Sequence, residues 1–161
     1  YSTPGTYTWT CPAAVTKVMV ELWGGGGGNV SGASGGQAGG YGKDIITVVP
    51  GSQYVINVGS GGCSFYCSAA GSWSATKGGN STFSNLYANG GNGFTGVFCG
   101  GNSNNGQSNA SFNVTGQVGS PGGLGGASWC GEPGTSPGGG GFATGGTAGI
   151  CGGNGRVVIY Y

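Results

Sequence analysis

VTKVMVELWGGGGG, residues 15–28, changes character at one peptide bond. Before that bond, Val18, Val20 and Leu22 alternate with Lys17, Met19 and Glu21, the period-two pattern of a strand with one buried face. Trp23 closes the strand, and an unbroken run, Gly24–Gly28, follows. The chain passes at a fixed point from a backbone directed by side chains to one that has none.

Working outward, the same switch recurs. Tyr7 and Trp9 alternate with Thr6, Thr8 and Thr10, which predicts a first strand over 5–10, ended by Cys11-Pro12 because proline cannot donate to a ladder. The Val15–Trp23 strand is expected to pair with it through Pro12-Ala13-Ala14. Further strands are predicted over 44–49 (DIITVV), 53–58 (QYVINV) and 155–161, the last containing RVVIYY. Pro50-Gly51 is a turn signal that predicts a hairpin between the third and fourth strands. Thr82–Ala88 reads as a short strand, and Cys63–Cys67 as a pinned loop around Ser64, Phe65 and Tyr66. No stretch carries a 3.6-residue apolar period, so essentially no helix is expected.

Between the strands lie glycine-rich segments, 24–42 and 59–153, in a single domain spanning residues 1–161. Glycine supplies 44 residues and charged side chains only 4%. The aromatic share of 11% and the patterned strands argue against disorder, and the absence of a Gly-x-y period excludes collagen. A bare loop as long as 59–153 does not fit a compact domain. Polyglycine-II segments do: three residues per turn, no internal hydrogen bonds, and backbone groups turned toward neighbouring rods. The expected fold is all-β, a small β-sandwich-like base carrying packed polyglycine-II segments.

Six cysteines with no histidine favour disulfides over metal, with Cys11, Cys63, Cys67, Cys99, Cys130 and Cys151 all expected in bridges whose connectivity stays open. That usage predicts an oxidising, secreted or cell-surface setting. The chain begins at Tyr1 rather than methionine, which predicts a removed leader. No apolar run reaches the length of a membrane span, and a net charge of +1 without a basic cluster predicts no nucleic-acid partner. Asn29, Asn80, Asn109 and Asn113 each open an N-x-[ST] acceptor for N-glycosylation, although Asn80 also suits backbone turn chemistry.

The order of motifs resembles the glycine-rich domain found in secreted and surface proteins and at the tips of some phage tail fibres. The residues that carry the resemblance are Pro12–Gly28, Val48–Gly62, Gly78–Phe83 and Gly152–Tyr160. It implies a β-sandwich-like base with polyglycine-II segments and a role in adhesion or surface structure. The cysteines depart from the phage-tip pattern and favour a secreted protein. No cofactor, metal site or catalytic residue is expected: Glu21, Asp44 and Glu132 are the only carboxylates, and the repeated G-x-G-x-x-G matches precede no helix. Tyr7, Trp9, Trp23, Tyr54, Phe83, Tyr160 and Tyr161 are expected in the sandwich core or its lids. Trp73 and Trp129, with Phe94, Phe98, Phe112 and Phe142, interrupt glycine segments, either plugging gaps between rods or acting as exposed anchors. The functional expectation is an extracellular structural glycoprotein that self-assembles into a fibre or surface layer through edge strands at the termini. The alternative is an adhesin that binds surface polysaccharide or a receptor.

Overall fold

A computed structural model describes residues 1–29, 36–67, 72–93, 108, 110–114, 137–140 and 151–161, with backbone alone at 65–67, 72–73 and 113–114. The strands are β1 (Gly5–Thr10), β2 (Lys17–Trp23), β3 (Tyr41–Thr47), β4 (Gln53–Val58), β5 (Ser64–Cys67), β6 (Ser72–Ala75), β7 (Ser81–Phe83), β8 (Leu86–Ala88), β9 (Phe112–Val114) and β10 (Arg156–Tyr160). There is no helix among the described residues. Two four-stranded antiparallel sheets, β1-β4-β7-β8 and β10-β2-β3-β9, pack face to face, and β5-β6 forms a separate hairpin.

The alternation in β2 works as its spacing demands. Val18, Val20 and Leu22 face inward to meet Ile56, Val58, Phe83, Leu86 and Val157, all buried in one cluster. Trp9 packs tilted against Tyr54 and Phe83, with ring centroids 5.9 and 5.8 Å away. Burying each such side chain contributes about 1.5–3 kcal/mol.

Two pairings differ from those the turns suggest. β1 pairs with β4, not β2, and β3 pairs with β2 and β9, not β4. Ala14 in the left-handed region (φ 69°) and Gly51 (φ 77°) reverse the chain, but each reversal carries it across to the other sheet. A local turn signal fixes the reversal and leaves open whether the next strand lies beside or across. Ser64–Cys67 is a strand rather than a pinned loop, and Thr82–Ala88 is a two-strand hairpin turning at Ser84 (φ 53°).

Beyond Trp23 the chain becomes the centre of a bundle of extended segments. Gly24 and Gly27 donate to the carbonyls of Gly40 and Gln37, at 2.9 and 2.8 Å. Gly25 and Gly28 donate to Gly79 and Thr76, at 2.9 and 3.1 Å, and Gly26 donates to Gly153 at 2.8 Å. Returning to the same neighbour every third residue is the three-per-turn geometry of polyglycine II. Around 24–28 the segments 36–40, 89–93, 76–80, 59–63, 151–155 and 137–140 close a ring, each bonded to the next: Gln37 to Asn92, Gly78 to Gly91, Gly79 to Ser60, Gly152 to Gly62, Gly153 to Gly139 and Gly39 to Gly138.

A Cβ on the central segment finds no room. On Gly24 or Gly27 it would enter the carbonyls of Asn89 or Asn92, and on Gly26 that of Gly139. Asn80 and Asn154, each following a glycine pair, cap neighbouring rods: their Oδ1 atoms accept from the Gly90 and Gly61 N–H groups, both at 3.0 Å. Segments 59–63 and 151–155 are also joined covalently by the Cys63–Cys151 disulfide.

Candidate functional site

The outward residues of β2 are Lys17, Met19, Glu21 and Trp23, opposite in parity to its core residues. Directly paired residues share a sheet face, so the register sets their neighbours. Trp23 lies between Arg156 and Tyr41, Glu21 between Val158 and Lys43, and Met19 between Tyr160 and Ile45, while Phe112 stands beside Lys43. Of the chain's seven charged residues, Lys17, Glu21, Lys43 and Arg156 fall on this face, and Asp44 borders it.

Glu21 organises the middle of the face. Its Oε1 receives the Tyr41 hydroxyl at 3.1 Å and Lys43 Nζ at 3.3 Å, and its Oε2 receives the Tyr160 hydroxyl at 3.1 Å. Burial, then the Glu21 charge and hydrogen bond, push the Tyr41 phenol up from 10.0 to about 12. The Tyr41 ring lies 4.9 Å from Trp23 and 6.0 Å from Phe112, and the Arg156 guanidinium sits 5.9 Å above Trp23. The Trp23 Nε1–H is buried without an acceptor, an omission that costs about 1–3 kcal/mol.

Beside this cluster opens a cleft of about 610 Å³ lined by Met19, Tyr41, Lys43, Asp44, Ile45, Ser111 and Phe112. Asp44 Oδ2 accepts from the Ser111 hydroxyl at 2.8 Å and the Ser111 N–H at 3.0 Å. Those bonds hold the Asp44 carboxyl below its usual range. The site therefore offers an aromatic and aliphatic floor with polar groups fixed at its rim, an arrangement suited to holding a partner. Among the described residues no group of three or more His, Cys, Asp or Glu side chains is placed to hold a metal ion.

Residues 2–135 match the family model of the glycine-rich domain. The chain belongs to the glycine-rich domain family. Comparison with curated proteins finds no match. In this glycine-rich domain no helix among the described residues is long and apolar enough to cross a membrane.

The structure sorts the residues singled out from the sequence. Cys63 and Cys151 pair with each other, but Cys11 is a free thiol, contrary to the expected bridge. It is 1% exposed at the end of β1, inside the sandwich core, and donates to the Val15 carbonyl at 3.3 Å. Cys67 belongs to β5, with backbone alone described, and Cys99 and Cys130 lie outside the described residues.

Asn29 is fully buried at the far end of the central rod, which leaves no path for a glycan and overturns that acceptor. Asn80 is exposed, and its side chain caps the neighbouring rod at Gly90 rather than making a local turn. Asn113 lies in β9 with backbone alone described, and Asn109 lies outside the described residues. Trp73 lies in β6, again as backbone, and Trp129, Phe94, Phe98 and Phe142 lie outside. Trp23 and Tyr160 belong to the outer face rather than the core, whereas Tyr161 covers Trp9 at 5.7 Å. Sequence reasoning missed Tyr41 and Ser111. The only available signal for Tyr41 was an aromatic ending a glycine run, and for Ser111 there was none.

Proposed function

We propose that this glycine-rich domain is an extracellular structural subunit that associates with its own copies into a fibre or surface layer, through the outer face of β10-β2-β3-β9. The observation that carries the reading is exposed apolar surface on that face: Ile45, Phe112 and Tyr160 are 65%, 58% and 46% exposed. Seven charged residues give little repulsion to keep copies apart. The face is a better candidate than the β10 edge, because the Tyr1 backbone already occupies Val157 there, with both hydrogen bonds at 2.9 Å. A disulfide fits secretion, and Asn80, Asn109 and Asn113 remain the glycan acceptors of this reading. Electron microscopy and sedimentation of the wild type against an Ile45→Lys, Phe112→Asp variant test it. Assemblies lost in the variant support the face; identical assemblies, or none in the wild type, reject it.

The cleft favours a second reading, an adhesin for surface polysaccharide or a receptor. Its volume of about 610 Å³ lies within the range of ligand sites, and Tyr41 and Phe112 offer ring faces beside the fixed carboxylate of Asp44. Retention on immobilised neutral polysaccharide, abolished by Phe112→Ala, is the expected result. Equal retention of both proteins removes the cleft from consideration.

A further inference from the structure

The edge of a sheet presents backbone N–H and C=O groups with no strand to bond them. The edge strands of the sandwich are β1, β8, β9 and β10. β8 and β9 are three residues long, and β8 is bridged at Ala88 to Ser108. β10 exchanges both of its Val157 bonds with Tyr1. β1 differs: among the described residues, no strand is bonded to its six residues on the side away from β4.

The register fixes which groups face that open side. Cys11 donates to Ser52 and accepts from Gly51, both at 2.9 Å, so the odd-numbered residues of β1 turn their backbone toward β4. Thr6, Thr8 and Thr10 therefore direct their N–H and C=O groups to solvent, and all three are exposed. Their side chains lie on the outer face of β1-β4-β7-β8, while Tyr7 and Trp9 turn inward. Nothing in Gly5–Thr10 guards the edge, for the strand has neither a charge nor a proline.

The stretch is also complementary to itself. TYTWT, residues 6–10, places threonine and aromatic residues in the same order in both directions. An antiparallel second copy thus sets Thr6 against Thr10, Thr8 against Thr8 and Tyr7 against Trp9. Threonine pairs and aromatic pairs are favourable cross-strand neighbours. A cleft of about 330 Å³ runs between β1 and β10 on this side, with Trp9, Tyr1, Ile159 and Tyr161 in its walls. Tyr7 of the second copy, opposite Trp9 on the inner face, comes to the mouth of that cleft.

We propose that β1 pairs antiparallel with β1 of a second copy about a two-fold axis at Thr8, joining the two β1-β4-β7-β8 sheets edge to edge. Each outward-facing threonine exchanges both of its backbone bonds with the threonine opposite. This contact lies on the other sheet from the outer face proposed above and does not rest on it. One two-fold interface yields dimers and stops, whereas two on one chain yield a filament. The β1 edge supplies the second contact that a fibre requires.

The test uses the whole chain in the Ile45→Lys, Phe112→Asp background, where the outer face is blocked. Sedimentation equilibrium is expected to give twice the chain mass. Adding Thr8→Lys sets like charges directly opposite one another at the axis and is expected to give the monomer, with far-UV circular dichroism unchanged. Thr8→Cys in the same background supplies a positive signal, because directly bonded partners have Cα atoms about 5.5 Å apart, within the reach of a disulfide. Oxidation then links residue 8 of one copy to residue 8 of another, identified by peptide mass. Thr6→Cys, which faces Thr10, forms no such link with itself. A folded monomer in the face-blocked background, a dimer that survives Thr8→Lys, or a Thr8→Cys chain with no link at residue 8 overturns the proposal. Failure of the outer-face reading has a different signature: Ile45→Lys, Phe112→Asp then assembles as the wild type does, and Thr8→Lys alone abolishes assembly.

Discussion

Replacing Gly26 by alanine tests whether the bundle is as closely packed as its hydrogen bonds imply. The new Cβ meets the Gly139 carbonyl, a backbone atom that cannot swing aside. Segment 137–140 or the central rod must shift. Three bonds meet at this point: Gly26 to Gly153 at 2.8 Å, Gly62 to Gly26 at 2.8 Å and Gly153 to Gly139 at 2.7 Å. Their loss at about 0.5–1.5 kcal/mol each, with about 1–3 kcal/mol of overpacking, gives a destabilisation of about 2.5–7.5 kcal/mol. The unfolded chain pulls the other way, since alanine restricts it and stabilises by about 0.4–1 kcal/mol. Against a typical total of about 5–15 kcal/mol the net loss of about 1.5–7 kcal/mol removes a large share of the stability. Gly51→Ala is the control: φ is 77°, but nothing lies within 4 Å, so only a left-handed penalty of about 1–2 kcal/mol applies. Urea unfolding followed by tryptophan fluorescence, without reductant, measures both. If Gly26→Ala proves no more destabilising than Gly51→Ala, the close-packed bundle is wrong.

Other expectations concern the bridge, the face and a cap. Cys63→Ser opens a loop with a sequence separation of 88, and chain entropy sets the loss at about 4–5 kcal/mol; unfolding with and without reductant checks it, since reductant should not weaken the variant further through this bond. The Tyr41 phenol rises from 10.0 to about 12 on folding, so the native state holds a proton that the unfolded chain releases. Its stabilisation is complete below pH 10 and declines as pH climbs toward 12, and Tyr41→Phe should flatten that part of the stability profile. Asn80→Ala strips the Gly90 N–H of its acceptor and should lower stability by about 1 kcal/mol, read as a shift in the urea midpoint at constant slope.

The strands with one buried face were legible. Val18, Val20 and Leu22 name their own orientation, and Ile56 and Val58 do the same in β4. Pairing was less so, because Pro12–Ala14 and Pro50-Gly51 say that the chain turns without saying toward which sheet. Polyglycine-II segments could be inferred as a type from composition, yet their order around Gly24–Gly28 could not, since a glycine run carries no side-chain pattern to encode register. The outer face was half visible: parity puts Glu21 and Trp23 together, but Tyr41 joins them only through the β2-β3 register. Asp44 meets Ser111 across 67 positions of chain, a contact with no local trace.

A bundle whose centre is peptide rather than hydrocarbon also sets how the fold responds to temperature. Unfolding exposes apolar surface in the sandwich, which raises the heat capacity, and polar backbone in the rods, which lowers it by about 0.26 cal/mol/K per Å². The two contributions oppose one another within the same molecule, so the heat-capacity increment per residue falls below the usual 12–15 cal/mol/K, roughly in proportion to the rod content. A small increment flattens the curve of stability against temperature. The domain keeps its free energy of folding over a wider interval, and chilling, which weakens hydrophobic cores, leaves the hydrogen-bonded half of this one intact.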